Sequence, residues 1–336
     1  MRVLVAGGAG YIGSHVVADL KEHGFGVVVL DNLSTGHQAA VGRVPIHGVS
    51  TGDYPLVRQL FSNYRFDAVI DLASYSLVGE SVDHPMTYYK NNVEGARTLM
   101  EAAISTGVET YIYSSSAAVY GDQIALRAKE TDQLRPINPY GRTKKQVEEM
   151  LEDFHRAYGL KYIALRYFNA AGAWPEKELG EDHRPETHLI PKIVDVLLGK
   201  SESIKVFGTD YRTVDGTCIR DYVHVRDIAA AHRMALQYLQ DGGESGPINL
   251  GSGKGYSVRE VIKAAKFVVD RDFPVEYVDR RPGDPDVLVA DIQKAKETIG
   301  WKPERNLSYM IWDAYQWHRD HPDGYGDKRR REPVMR

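Results

Sequence analysis

Cysteine is nearly absent from this 336-residue chain, Cys218 being its single example. One thiol excludes an intramolecular disulfide and a thiolate metal cluster. It suits a reducing compartment, so a cytoplasmic location is expected. Long apolar runs are lacking too: no stretch approaches the roughly 20 residues that a membrane-spanning helix needs. No leader is expected either, because Arg2-Val3-Leu4-Val5-Ala6 already reads as a buried strand running into glycines. Charge of one sign is scarce: the formal net charge is -4, which argues against a nucleic-acid backbone as partner. The basic run Lys328-Arg329-Arg330-Arg331 reads as a solvated tail, since no aromatic or helical pattern accompanies it.

What is present is ordinary globular material, 43% hydrophobic and 26% charged, enough for one large domain or two smaller ones. Short apolar strands are expected at Val3–Ala6, Val27–Leu30, Val44–His47, Ala68–Leu72, Thr110–Ser114 and Tyr162–Leu165. Amphipathic helices fall between them, near Ile12–His23, Leu56–Tyr64, Pro85–Thr106 and Pro139–Tyr158. Apolar strands alternating with helices predict an α/β fold, a doubly wound parallel sheet covered on both faces. Such a sheet binds its ligand beyond the strands' carboxyl ends, where strand order reverses.

After Phe168 the texture changes, and shorter elements follow: helices near Ile190–Leu198, Val225–Leu239, Ser257–Val269, Ile292–Ile299 and Leu307–Trp317, and strands near Ile204–Phe207, Ile248–Leu250 and Val275–Val278. The expected division is a dinucleotide domain over 1–169 and a smaller α/β substrate domain over 170–336, with elements near 221–250 free to return to the first.

Gly7-Gly8-Ala9-Gly10-Tyr11-Ile12-Gly13 has the spacing G-x-x-G-x-x-G at the end of a strand and the start of a helix. Gly7 permits the turn, Gly10 lets backbone approach a pyrophosphate, and Gly13 lets helix pack on strand. The helix start offers unpaired N–H groups to phosphate. Asp31 ends the second strand, where an acid takes ribose hydroxyls and repels a 2′-phosphate; NAD is therefore expected rather than NADP, with Asn32 assisting.

Tyr140-Gly-Arg-Thr-Lys144 puts a tyrosine and a lysine on one helix face. A phenol titrates near pH 10 when unperturbed, so a neighbouring ammonium and a nicotinamide cation are expected to favour its phenolate. Ser114-Ser115-Ser116 closes the preceding strand, where a hydroxyl can bond the reacting oxygen.

With these parts in order the chain resembles the extended short-chain dehydrogenases and, among them, the UDP-glucose 4-epimerases. The resemblance runs through Asp31–Gly36, Val78–Ser81, Ser114–Asp122, Asn138–Lys144, Leu165–Asn169, Glu186–Pro191, Phe207–Tyr211 and Arg280–Asp284. It implies a Rossmann-type domain, bound NAD, a UDP-sugar substrate and a homodimer. It assigns Tyr140 as acid/base on the sugar 4-hydroxyl, Lys144 to the nicotinamide ribose and Ser116 as hydroxyl partner. The cofactor would also meet Gly7, Gly10, Tyr11, Ile12, Gly13, Asp31, Asn32, Leu72, Ala73, Asn92, Ser114 and Tyr167. The nucleotide sugar would meet Asn169, His188, Leu189, Lys205, Phe207, Arg220, Arg281 and Asp284. Two arginines suit a pyrophosphate through paired donors. No metal is expected.

The resemblance also carries departures. The acid that usually meets adenine is missing at Val49, with Asp53 displaced along the chain, and the usual lysine after the fourth strand is Ser76. Looser NAD binding or a different substrate range is the expected consequence. Leu288 stands where some relatives carry tyrosine, so UDP-GlcNAc joins UDP-glucose as an expected substrate. Sugar-nucleotide dehydratases place an Asp-Glu pair before Val-Tyr-Gly; Ala117 and Ala118 stand there and cannot transfer a proton. Dehydration is thus disfavoured against epimerisation at C4. A net oxidoreductase, dehydratase or decarboxylase on the same fold, a UDP-glucuronate 4-epimerase and a non-catalytic dinucleotide sensor remain the competing readings.

Overall fold

A computed structural model describes residues 1–122, 127–280 and 285–326. The first half contains β1 (Arg2–Ala6), α1 (Tyr11–Glu22), β2 (Gly26–Leu30), β3 (Ile46–His47), α2 (Tyr54–Tyr64), β4 (Ala68–Asp71), α3 (Val78–Asp83), α4 (Pro85–Tyr88), α5 (Gly95–Ser105), β5 (Thr110–Ser116), α6 (Pro139–Tyr158) and β6 (Lys161–Tyr167). The second contains β7 (Asn169–Ala171), α7 (Leu189–Leu197), β8 (Ile204–Phe207), β9 (Ile219–His224), α8 (Val225–Gln240), β10 (Gly246–Leu250), β11 (Gly255–Ser257), α9 (Val258–Val269), β12 (Val275–Val278), β13 (Val287–Leu288), α10 (Gln293–Ile299) and α11 (Leu307–Asp320).

The main sheet runs β10-β6-β5-β4-β1-β2-β3, and every neighbouring pair is parallel. It is the doubly wound sheet the sequence predicts. The chain steps outward from β1 to β3, then returns to β1's other side with β4, so order reverses between β1 and β4. Alternation along β1 explains its unbroken apolar run: Val3 and Val5 enter one hydrophobic core, while Leu4 enters the other. Each such buried side chain contributes about 1.5–3 kcal/mol.

The chain crosses back after its midpoint. β10 pairs with β6 at the sheet edge, α8 packs on α1, and α10 packs on α8. The separate second core lies under α7, α9 and α11. It is joined by β9 with its neighbours β7, β11 and β13, and by the β8–β12 pair. The sequence pattern does not announce β7, β11 or β13, which have only two or three residues, or β9, whose Ile219–His224 run is interrupted by charged residues.

The expected Pro85–Thr106 helix is broken into α4, a π-helical turn over Tyr89–Glu94, and α5. The widened turn carries Asn92 inward, where its Oδ1 accepts from the Tyr75 N–H (2.9 Å) and its Nδ2 donates to Tyr75 O and Thr143 Oγ1 (both 3.1 Å). A regular apolar period cannot disclose such an insertion. No described helix is long and apolar enough to cross a membrane.

Candidate active site

The reversal point opens into a cleft of about 1030 Å³ between the sheet's carboxyl ends and the second core. Its floor is the glycine loop. Gly7 has φ +73°, and a Cβ on Gly13 would lie 2.1 Å from Gly7 O. Gly10 caps α1 without any side-chain hydrogen bond, so the helix start presents bare N–H groups. Asp31 is tied into this loop: its Oδ2 accepts from the Ala9 N–H (2.9 Å) and its Oδ1 from the Leu33 N–H (2.8 Å). The loop, the helix dipole and a carboxylate one strand away have the shape and donors that NAD needs.

Helix α6 brings the reactive pair to the same cleft. Asn138 caps it, accepting from the Gly141 N–H (2.8 Å), and Pro139 presets the first turn. Tyr140 and Lys144 then share the face toward β5. Burial pushes the Tyr140 phenol above its ordinary range, and a hydrogen bond with Ser116 opposes that shift.

Lys144 does not bond the phenol. Its Nζ lies 5.8 Å from the Tyr140 ring centre, and it donates to Ser74 Oγ (2.8 Å) and the Ser114 carbonyl (2.6 Å). Burial lowers its ammonium to about 8, with Asp71 and Glu148 pulling back upward.

The three serines at the end of β5 therefore do three jobs. Ser114 offers its carbonyl to Lys144, Ser115 bonds Glu148, and Ser116, whose Oγ accepts from the Ala118 N–H (3.2 Å), is near enough to act on the Tyr140 phenol. Glu148, one turn beyond Lys144, is gripped by Arg166 of β6 through Nε (3.0 Å) and Nη2 (2.6 Å). Neither partner of that pair was singled out from sequence, where an Arg and a Glu 18 residues apart carry no signal.

Of the other predicted residues, Tyr11, Ile12, Asn32, Leu72, Ala73, Tyr167, Asn169, His188 and Arg220 line the cleft, as do Val49, Ser76 and Leu288. Tyr167 also bonds His232 Nε2 (2.6 Å). Arg220 donates to the Ile219 and Pro285 carbonyls. Its neighbour Asp221 turns elsewhere, accepting from Ser252, Gly253 and Ala290. Asp53 caps α2.

Four predicted contacts lie off the cleft wall. Asn92 braces the loop after β4 against α6. Leu189 starts α7, Lys205 is exposed opposite Glu276, and Phe207 ends β8. Arg281, Asp284 and the basic run from Lys328 lie outside the described residues.

The far wall holds a cluster that sequence reading reached only through His188. Glu181, His183, Glu186 and His188 bring their ligating atoms within 4.8 Å of one another. Buried Glu181 accepts from His183 Nδ1 (2.9 Å) and stands 2.7 Å from His188 Nδ1. Burial alone would lower the His188 imidazole, but Glu181 and Glu186 outweigh it and raise it well above its usual value. The two imidazoles satisfy a carboxylate that burial would otherwise penalise.

Residues 3–251 match the model of the NAD dependent epimerase/dehydratase family. The chain belongs to that family. It is 47% identical to the UDP-glucose 4-epimerase of Halalkalibacterium halodurans over 97% of this chain and 98% of that one. The crystal structure of the Brucella ovis UDP-glucose 4-epimerase in complex with NAD superposes with a TM-score of 0.91 at 45% identity, covering 94% of this chain and 97% of that one. The UDP-Glc/GlcNAc 4-epimerase of Campylobacter jejuni does so at 0.83 and 40%, covering 95% and 99%. In this chain the glycine loop and the Tyr140–Lys144 pair line one cleft.

Proposed function

We propose that the protein interconverts UDP-glucose and UDP-galactose by NAD-dependent inversion at C4. The observation that carries this reading is the convergence of Tyr140, Ser116 and Lys144 on the cleft that begins at the glycine loop. Gly7–Gly13 and the start of α1 would hold the pyrophosphate of NAD, and Asp31 its adenosine ribose. Bound there, NAD supplies a hydride acceptor that becomes the donor for the return step.

The chain's own residues handle the proton and the position. Tyr140, as phenolate, takes the 4-hydroxyl proton, and Ser116 holds the same oxygen. Lys144, held by Ser74 and Ser114, would meet the nicotinamide ribose, and its charge would favour the phenolate once the ligands exclude water. The resulting 4-keto sugar turns about its diphosphate linkage and presents its other face. Tyr140 then returns the proton. Arg220 and His188, both on the cleft wall, would hold the diphosphate, remote binding that keeps the sugar from leaving while it turns. Ala117 and Ala118 leave no acid–base pair for loss of water.

UDP-GlcNAc is the second substrate we infer, because Leu288, smaller than a tyrosine, lines the cleft wall. We also infer a cytoplasmic homodimer formed near α4 and α6; Met86, 85% exposed, and Val82, 60% exposed, offer apolar surface there.

The test is incubation with UDP-glucose, UDP-GlcNAc and UDP-glucuronate, with products identified by NMR. C4 epimers without net NADH are expected from the first two. Tyr140→Phe should lower turnover by about 10²–10⁴-fold with NAD still bound. Net NADH, or loss of water or CO₂, would refute the reading.

A further inference from the structure

Lys144 must keep its proton at a site that is 1% exposed. Burial drives an ammonium toward its neutral form, and a neutral amine could neither favour the Tyr140 phenolate nor act as a full donor to a ribose. Its two hydrogen-bond acceptors, Ser74 Oγ and the Ser114 carbonyl, are uncharged. The charged and titratable groups around it come from four elements: Asp71 from β4, Glu148 and Tyr140 from α6, Tyr113 from β5, and Arg166 from β6 behind Glu148.

Of the two anions, Glu148 is held by the Arg166 guanidinium. Asp71 is different. It is 2% exposed, and its hydrogen-bond donors are neutral: the Tyr111 hydroxyl to Oδ2 (2.7 Å) and the Ala73 N–H to Oδ1 (3.1 Å). The second bond folds the turn that follows β4, and that turn delivers Ser74 Oγ to Lys144.

We propose that Asp71 and Ser74 are positioning residues for the reaction, Asp71 as the buried counter-anion that keeps Lys144 charged and Ser74 as the acceptor that aims it. The proposal rests on the catalytic role given above to Lys144. Burial raises the Asp71 carboxyl, and Tyr111, Lys144 and Ala73 oppose that rise in favour of the anion. The arrangement makes the cofactor-lining turn and the charge of Lys144 depend on one carboxylate.

The measurement is the pH profile of kcat at saturating UDP-glucose for the NAD-loaded enzyme and its Asp71→Asn variant. Asparagine keeps an acceptor for Ala73 and removes the charge. The alkaline limb should move down by about one pH unit, the low end for an opposite charge nearby. Turnover should be near that of the parent at pH 6 and roughly tenfold lower above the limb. A merely structural role would lower kcat by the same factor at every pH, and that result, or an unmoved limb, overturns the proposal.

Ser74→Ala leaves the Asp71 turn intact and carries the test if Asp71→Asn does not fold. It should move the same limb in the same direction by a smaller amount, and an unmoved limb refutes the pair. Lys144→Ala separates the two readings. Full turnover there would remove the role of Lys144 and the proposal with it. Loss of turnover beside an unmoved limb in Asp71→Asn would sink the proposal alone.

Discussion

Glu148→Gln should destabilise the protein far more than any other loss of a charge on α6. The side chain keeps its size, but the Arg166 guanidinium, 3% exposed as a residue, loses its counter-ion. Two Nε contacts and one Nη2 contact go to the carboxylate; the amide keeps one acceptor oxygen but no charge and turns an NH2 donor into the site, while Nη1 keeps Tyr120 Oη (2.9 Å) and Glu130 O (3.3 Å). Removing one partner of a buried pair costs about 3–5 kcal/mol, a large part of the roughly 5–15 kcal/mol that holds a folded domain. The solvent-facing pairs on the same helix, Lys145–Glu149 at 3.6 Å and Arg156–Glu152 at 2.6 Å, supply the internal control. Breaking either should cost under about 1 kcal/mol. Urea unfolding of the NAD-loaded protein measures all three. The joint change Glu148→Leu with Arg166→Met should recover most of the loss, since the penalty is an unpaired buried charge rather than a missing attraction. A loss below about 1 kcal/mol for Glu148→Gln, or no recovery in the double variant, would refute the reasoning.

Other changes read other parts of the site. Gly13→Ala places a methyl carbon 2.1 Å from Gly7 O, so the loop must open; NAD affinity by fluorescence titration should fall at least about tenfold, equivalent to about 1.4 kcal/mol. Leu288→Tyr should cut turnover of UDP-GlcNAc by about 10–200-fold, the scale of a pocket-filling change, while UDP-glucose turnover holds; equal losses on both would count against Leu288 as a size gate. The His188–Glu181 contact predicts a pH window. A raised His188 adds stability that is complete below its ordinary 6.5 and fades as pH climbs through the folded value. A lowered Glu181, whose burial penalty the two imidazoles outweigh, adds stability above its ordinary 4.5 that is lost as pH falls. The stability gap between the parent and His188→Gln should therefore be widest between about pH 4.5 and 6.5 and narrow on the alkaline side; a gap independent of pH would show that the contact is not ionic.

Local chemistry wrote part of this site into the sequence. The glycine loop is legible because tight turns and close backbone approach demand residues without a Cβ at set intervals. Tyr140 and Lys144 are legible because a helix period puts four-apart residues on one face. Apolar strands between amphipathic helices sufficed for the parallel sheet. The π-helical turn at Tyr89–Glu94 was not legible, since its one-residue widening leaves the apolar pattern almost unchanged.

What tertiary structure alone decided is which groups surround those motifs. Which edge β10 takes, beside β6, is set by how the second half packs on the first. Ser74 bonds Lys144 across 70 residues of chain, in the turn after β4, whose end at Asp71 lies beside Tyr113 of β5 under the Lys144 ammonium. Glu148 meets Arg166 across a helix–strand contact, and Glu181 gathers two imidazoles in a loop. A motif names the reacting groups through backbone geometry a few residues long. The electrostatic setting that lets them react is a sum over space, and only the folded chain brings those charges together.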